Sequence, residues 1–85
     1  MSLNFPNPSR SYDPAKHRTC FWGHDDAREV TFWLNDDVLT QLQPGVKPEE
    51  AELLKAFDVH RDRILQLASK LYARGRQTSF IIAAL

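Results

Sequence analysis

The chain has 85 residues, of which 42% are hydrophobic and 26% are charged, and its formal net charge is zero. A chain this short buries only about 60–65% of the surface that its unfolded form exposes, so its core is modest. The balanced charge excludes a partner selected by overall electrostatic attraction. No apolar run approaches the roughly 18–20 residues that span a bilayer, so we expect no membrane partner. The sequence therefore predicts one soluble α+β domain over residues 1–85.

The first half of the chain predicts strands. Leu3 and Phe5 alternate with polar residues, as in a short strand. The prolines that follow predict irregular structure through residue 15, because proline lacks an amide donor. Residues 18–22 and 28–34 are rich in β-branched and aromatic side chains, which predicts two further strands. We expect a hairpin loop of about five residues to join them.

The second half of the chain predicts two helices and a last strand. Asn35 suits the N-cap of a short helix that ends near Gln43. From Pro48 to Gly75 apolar residues recur every three or four positions, which predicts one amphipathic helix roughly 40 Å long. The residues on its apolar face are Leu53, Phe57, His60, Ile64, Leu67 and Leu71. Residues 77–84 predict the last strand, whose place in the sheet the sequence leaves open.

The order β-β-β-α-α-β predicts an α+β fold of two layers. Strands joined by short loops pair antiparallel. The long C-terminal helix then covers one face of that antiparallel sheet. The opposite face is left as the place to look for function.

Two aromatic pairs are the strongest candidate for a working surface. On the third strand Phe32 belongs to the core set, so Trp33 points to the other face. By the same alternation Trp22 points outward on the second strand, with Cys20 beside it. Two outward tryptophans make a larger apolar patch than a small monomer usually exposes. Three interpretations stay open: the proline segment or the short helix covers the rings, a protein partner or second copy binds them, or nucleic-acid bases stack on them.

The second candidate is the basic end of the long helix. Its first half carries the acids, and beyond Asp62 only cations remain. These cations are Arg63, Lys70, Arg74 and Arg76. They could bind phosphate, nucleic acid or an acidic protein. The alternative interpretation is that they complement the helix dipole and solvate one helix face.

The remaining polar residues predict no catalytic or metal site. Cys20 has no evident base nearby, and nucleophilic cysteines need one or a cationic neighbour. Asp58 and Asp62 share a helix face, but His60 points elsewhere, so a zinc site is not expected. The sequence has no glycine-rich phosphate loop. We therefore expect no enzyme, no cofactor and no metal.

The single cysteine and the N-terminus bear on the compartment. Cys20 cannot form an internal disulfide, which suits a reducing cytosol. The first residues lack the basic and apolar regions of a signal peptide. We therefore expect a cytoplasmic protein.

Three segments carry a resemblance to a known family. They are residues 4–13 (NFPNPSRSYD), residues 21–25 (FWGHD) and residues 72–76 (YARGR). Together they resemble a family of short proteins of Gram-negative bacteria classed as domain of unknown function 1488. The resemblance implies an α+β fold with an antiparallel sheet and helices. It implies no activity and assigns no functional residue.

Two hypotheses of function follow from these surfaces. The first is a small cytoplasmic protein-interaction module that associates with itself through the outer sheet face around Trp22 and Trp33. The second is a nucleic-acid-associated regulator that uses Arg63, Lys70 and Arg74. The first ranks higher because the aromatic surface departs further from an ordinary protein surface.

Overall fold

A computed structural model describes residues 3–85, and it has the α+β fold that the sequence predicts. Within these residues one sheet of five strands is accompanied by three helices. The strands are β1 Leu3–Asn4, β2 Arg10–Asp13, β3 Arg18–Asp25, β4 Arg28–Asn35 and β5 Ser79–Ile82. The helices are α1 Asp36–Leu42, α2 Glu50–Val59 and α3 Arg61–Arg74.

Strands β3 and β4 form the central hairpin, and it is longer than the sequence predicts. Their antiparallel register runs from Arg18 opposite Asn35 to Asp25 opposite Arg28. The turn between the strands therefore has two residues, and the predicted five-residue loop was wrong. Asp26 takes a left-handed conformation with φ 55°, which aspartate tolerates better than most residues and which suits a tight hairpin turn.

The sequence does not predict strand β2, because the prolines around it favour irregular structure. It pairs antiparallel with β3, from Arg10 opposite Phe21 to Asp13 opposite Arg18. Strand β1 pairs further along the same edge of β3. The prolines lie between and after these edge strands, where a missing amide donor interrupts little pairing.

The last strand occupies the opposite edge of the sheet. Strand β5 runs parallel to β4, from Thr31 opposite Ser79 to Leu34 opposite Ile82. The sheet order is thus β1 and β2 on one edge, then β3, β4 and β5. The helices form the connection that returns the chain to the start of β4, as a parallel pair requires.

The predicted long helix is present as two consecutive helices. His60 separates α2 from α3 with φ −101° and ψ 17°, outside helical values. Its amide still donates to the Ala56 carbonyl, and its carbonyl accepts from the Ile64 amide. Its ring Nε2 lies 3.2 Å from Oε1 of Gln43, at the end of α1. The break therefore lies where the helical segment contacts α1.

All three helices pack on one face of the sheet, which we call the inner face. Phe21 and Phe32 stack there with their ring centroids 5.3 Å apart. Phe57 of α2 meets Phe21 edge-on at 5.2 Å, and Phe80 of β5 stacks on Phe32 at 5.4 Å. The predicted inner residues of β4 are fully buried; they are Val30, Phe32 and Leu34. Aromatic and aliphatic packing on this face holds the two layers together.

Candidate functional site

The sheet face away from the helices, here called the outer face, carries a row of apolar side chains. The strand register places Cys20 opposite Trp33 and Trp22 opposite Thr31. Trp33 is in turn opposite Ile81 of β5. Since side chains alternate along a strand, all five lie on the side opposite the buried phenylalanines. The apolar row therefore crosses three neighbouring strands.

The two tryptophans are half-buried, and Ile81 is 58% exposed. The Arg18 guanidinium lies over the Trp33 ring, 4.0 Å from its centroid, as in a cation–π contact. Cys20 is buried between its neighbours, and this burial raises the pKa of its thiol although Arg18 opposes the shift. The accessible apolar groups are thus the two indoles and Ile81, while Cys20 lies beneath them and stays protonated.

Side chains from both segments that could have covered the tryptophans pack on the inner face. Val38 and Leu39 of the short helix are buried in the core. Phe5, in the proline segment, packs against Phe21 and Phe32 with ring centroids 6.1 and 5.8 Å away. These three side chains therefore do not cover the indoles, as the first of the three interpretations of the aromatic pairs would require.

Three of the four predicted basic residues come together. Arg63, Lys70 and Arg74 line a groove of about 410 Å³ between α3 and β5. Its apolar lining includes Leu67 and Leu71 of α3. This spacing follows from the helix, because residues seven and four apart return to the same side. The groove is therefore basic at its helix side and apolar between the cations.

Arg76 does not line this groove. It follows α3, and its carbonyl accepts a hydrogen bond of 3.0 Å from Nη2 of Arg28 on β4. Arg76 therefore helps to attach the segment before β5 to the central hairpin.

Tyr72, which is buried, and Tyr12, which is half-buried, each form a hydrogen bond with a carboxylate. The sequence predicts neither pair. The Tyr72 hydroxyl donates to Oδ2 of Asp25 at 2.7 Å, and the Tyr12 hydroxyl donates to Oδ2 of Asp36 at 2.7 Å. The hydrogen bond to Asp25 raises the pKa of Tyr72. Burial, followed by the bond to Asp36, raises the pKa of Tyr12 to about 12.

Each tyrosine pair joins a helix to the sheet. Tyr72 is buried on α3, four residues after Ala68 and eight after Ile64, which are also buried. The apolar face predicted from the sequence instead contains Leu67 and Leu71, which are half-buried. The signal that could have identified Tyr72 was the regular interval of four residues from Ile64 through the small Ala68 to Tyr72, which places all three on one helix face.

Two further features concern residues 3–85, namely metal-binding clusters and membrane-spanning helices. No cluster of three or more His, Cys, Asp or Glu side chains there is placed to hold a metal ion. Within the same residues no helix combines the length and the apolar character needed to cross a bilayer.

Comparison with known proteins places the chain in a family. Neither the curated proteins nor the solved structures include a match to it. The family described as "Protein of unknown function (DUF1488)" matches residues 3–83, which is nearly the whole chain. The resemblance carried by the three sequence segments is thereby confirmed, and the chain belongs to this family.

Proposed function

We propose that this chain is a non-enzymatic protein-interaction module of the bacterial cytoplasm that associates with itself through the outer face of its sheet. One observation carries the proposal: Trp22, Trp33 and the exposed Ile81 lie together on the sheet face opposite the three helices of residues 3–85. Tryptophans are enriched at the energetic centres of interfaces, because they bury a large area with little loss of conformational freedom.

The charges on the outer face favour a second copy as the partner. Arg18 lies at one end of the β3–β4 hairpin and Glu29 lies on β4 at the other end. They are separated by about 20 Å along the strands. A two-fold axis across the middle of the face would place Arg18 of each copy near Glu29 of the other. A self-complementary patch of this kind is what a two-fold interface requires.

The cytoplasmic and non-enzymatic parts of the proposal rest on Cys20. A single thiol does not need an oxidising compartment. Because its pKa is raised, the thiol is protonated at neutral pH, and a protonated thiol is a poor nucleophile.

Sedimentation of a double variant tests self-association. We expect the wild-type chain to sediment above its monomer mass at high concentration, and Trp22→Ser with Trp33→Ser to remain folded and sediment as a monomer. Val59→Ser is the matched control, because Val59 is 68% exposed on α2, on the helix side. A wild-type chain that stays monomeric at every concentration would refute the proposal.

Charge exchange tests the two-fold arrangement separately. We expect Glu29→Arg to weaken association, because the new positive charge would lie beside Arg18 of the other copy and repel it. Adding Arg18→Glu to that variant should restore association, since the pair is reversed on both sides. Association that the single change leaves intact would contradict the two-fold pairing.

A second candidate function is nucleic-acid binding by Arg63, Lys70 and Arg74. Their convergence on one groove supports it, because phosphates are bound by clustered cations. The apolar lining between the cations argues against nucleic-acid binding, because single-stranded nucleic acids are usually held by bases that stack on aromatic side chains. Failure to retard DNA or RNA on a native gel at low salt would exclude it.

A further inference from the structure

Strand β5 has an open edge. It pairs with β4 on one side, and it is the terminal strand of the sheet formed by residues 3–85. The Thr78 carbonyl accepts from the Thr31 amide of β4 at 2.9 Å. Successive residues of a strand direct their backbone groups to opposite sides, so the amides and carbonyls of Ser79 and Ile81 face away from β4. An extended segment could pair with these groups.

The basic groove runs beside this open edge. Residues 81–85 line it together with Arg63, Lys70 and Arg74 of α3. No acidic side chain of residues 3–85 lines the groove. None of the three cations forms an ion pair within the described part of the chain, where Arg10 with Asp58 is the ion pair observed. The cations therefore remain available for a ligand of opposite charge.

We propose that an extended acidic segment of a partner protein binds here by adding a strand to β5. Its backbone would pair with Ser79 and Ile81, and its acidic side chains would lie in the groove under the three cations. The complementary charge selects an acidic occupant, and the open strand edge selects an extended one. The three cations lie on α3, on the helix side of the sheet, and the tryptophans lie on the other side. The two surfaces share Ile81, but the charge contacts with the cations do not depend on self-association.

The helix spacing predicts the pattern of the bound segment. Lys70 and Arg74 are four residues apart, which is about 6 Å along a helix. Side chains two residues apart on a strand are about 7 Å apart and point to the same side. Acidic residues two positions apart would therefore meet Lys70 and Arg74, whereas Arg63 lies about 10 Å before Lys70 and would meet a more distant acid. The residues between the acids would lie beside the exposed Ile81 on the outer face.

Binding of a synthetic peptide tests the charge contacts. The probe is a short fluorescent peptide in which Glu and Val alternate, measured by anisotropy with the full chain. We expect saturable binding, weakened at least about tenfold in a variant with Arg63→Glu, Lys70→Glu and Arg74→Glu. The matched control reverses three exposed cations elsewhere, Lys16, Lys47 and Lys55, and should bind as the wild type does. Equal loss in both variants, or no binding to the wild type, would overturn the proposal.

A backbone change tests strand addition. Ile81→Pro removes an amide that faces the open edge and leaves the β4 pairing intact, so we expect it to weaken peptide binding. Ile81→Thr keeps that amide and should bind the peptide nearly as well. The same test can be made without changing the protein, by placing N-methyl groups on every second amide of the peptide. Two such peptides are needed, one for each set of alternate amides. Undiminished binding of both methylated peptides would refute strand addition.

Two further experiments distinguish peptide binding from nucleic-acid binding and from self-association. Single-stranded DNA of equal charge, offered at the same salt concentration, should bind more weakly than the peptide, and tighter binding of DNA would overturn the proposal. The variant with Trp22→Ser and Trp33→Ser should retain peptide binding, because those side chains lie outside the groove. Loss of peptide binding in that variant, while it remains folded, would count against a separate site.

Discussion

Two adjacent isoleucines of β5 test the sheet edge on which the candidate surfaces depend. Ile82 is 2% exposed and joins the core, whereas Ile81 is 58% exposed on the outer face. Truncation to alanine removes three carbon groups, worth about 0.8 kcal/mol each when fully buried. With the cavity that remains, Ile82→Ala should lower the free energy of unfolding by about 3 kcal/mol. The same change at Ile81 should lower it by about 1 kcal/mol or less.

Urea unfolding at low protein concentration measures both variants while limiting any contribution from association. A domain of this size is expected to have a free energy of unfolding of about 4–13 kcal/mol. With a urea slope near 1 kcal/mol/M, the Ile82 variant should unfold about 3 M earlier and the Ile81 variant within about 1 M of the wild type. Both changes replace isoleucine by alanine at neighbouring positions. The difference between their losses in the free energy of unfolding therefore reports which face of the sheet each side chain occupies. Equal losses, or a larger loss at Ile81, would refute the register of β5.

Two further predictions concern the packing of the sheet and its pH dependence. Gly23→Ala should destabilise the fold by about 1–3 kcal/mol in urea, because the new Cβ would lie 2.9 Å from Cε1 of Phe5. Gly75→Ala, with nothing within 4 Å of its Cβ, is the control and should be near neutral. The hydroxyl of Tyr12 should stabilise the fold fully below pH 10.0, because the folded pKa of about 12 lies above the ordinary value. That stabilisation should disappear as the pH rises through about 12, seen as a shrinking difference in urea midpoint between the wild type and Tyr12→Phe. A difference that stays constant over that range would contradict the bond to Asp36.

The candidate surfaces were predictable to different extents. Alternation along two strands identified Trp22 and Trp33 correctly as outward residues, because a strand reverses its side chains at every residue. The change of charge along the predicted helix identified Arg63, Lys70, Arg74 and Arg76 as a basic end, and helical spacing explains why the first three share one side in the structure. The sequence could not assign Ile81 to the surface around Trp22 and Trp33, because the neighbour of Ile81 in the sheet depends on where the last strand pairs.

The sequence by itself determined the central hairpin, the helical segments, the last strand and the two faces of the hairpin, because these depend on local periodicity, whereas it did not identify β2. The residues at 28–34 already separate into a buried and an outward set, and the apolar stripe of residues 48–75 already requires a sheet to cover. Only the tertiary structure decided that β5 lies parallel to β4, since both edges of the sheet offer free backbone groups and the path of the helices selects one. That choice places Ile81 beside Trp33 and the basic side of α3 beside an open edge. The addition of Ile81 to the tryptophans and the position of the groove beside β5 therefore depend on a long-range pairing that no local pattern specifies.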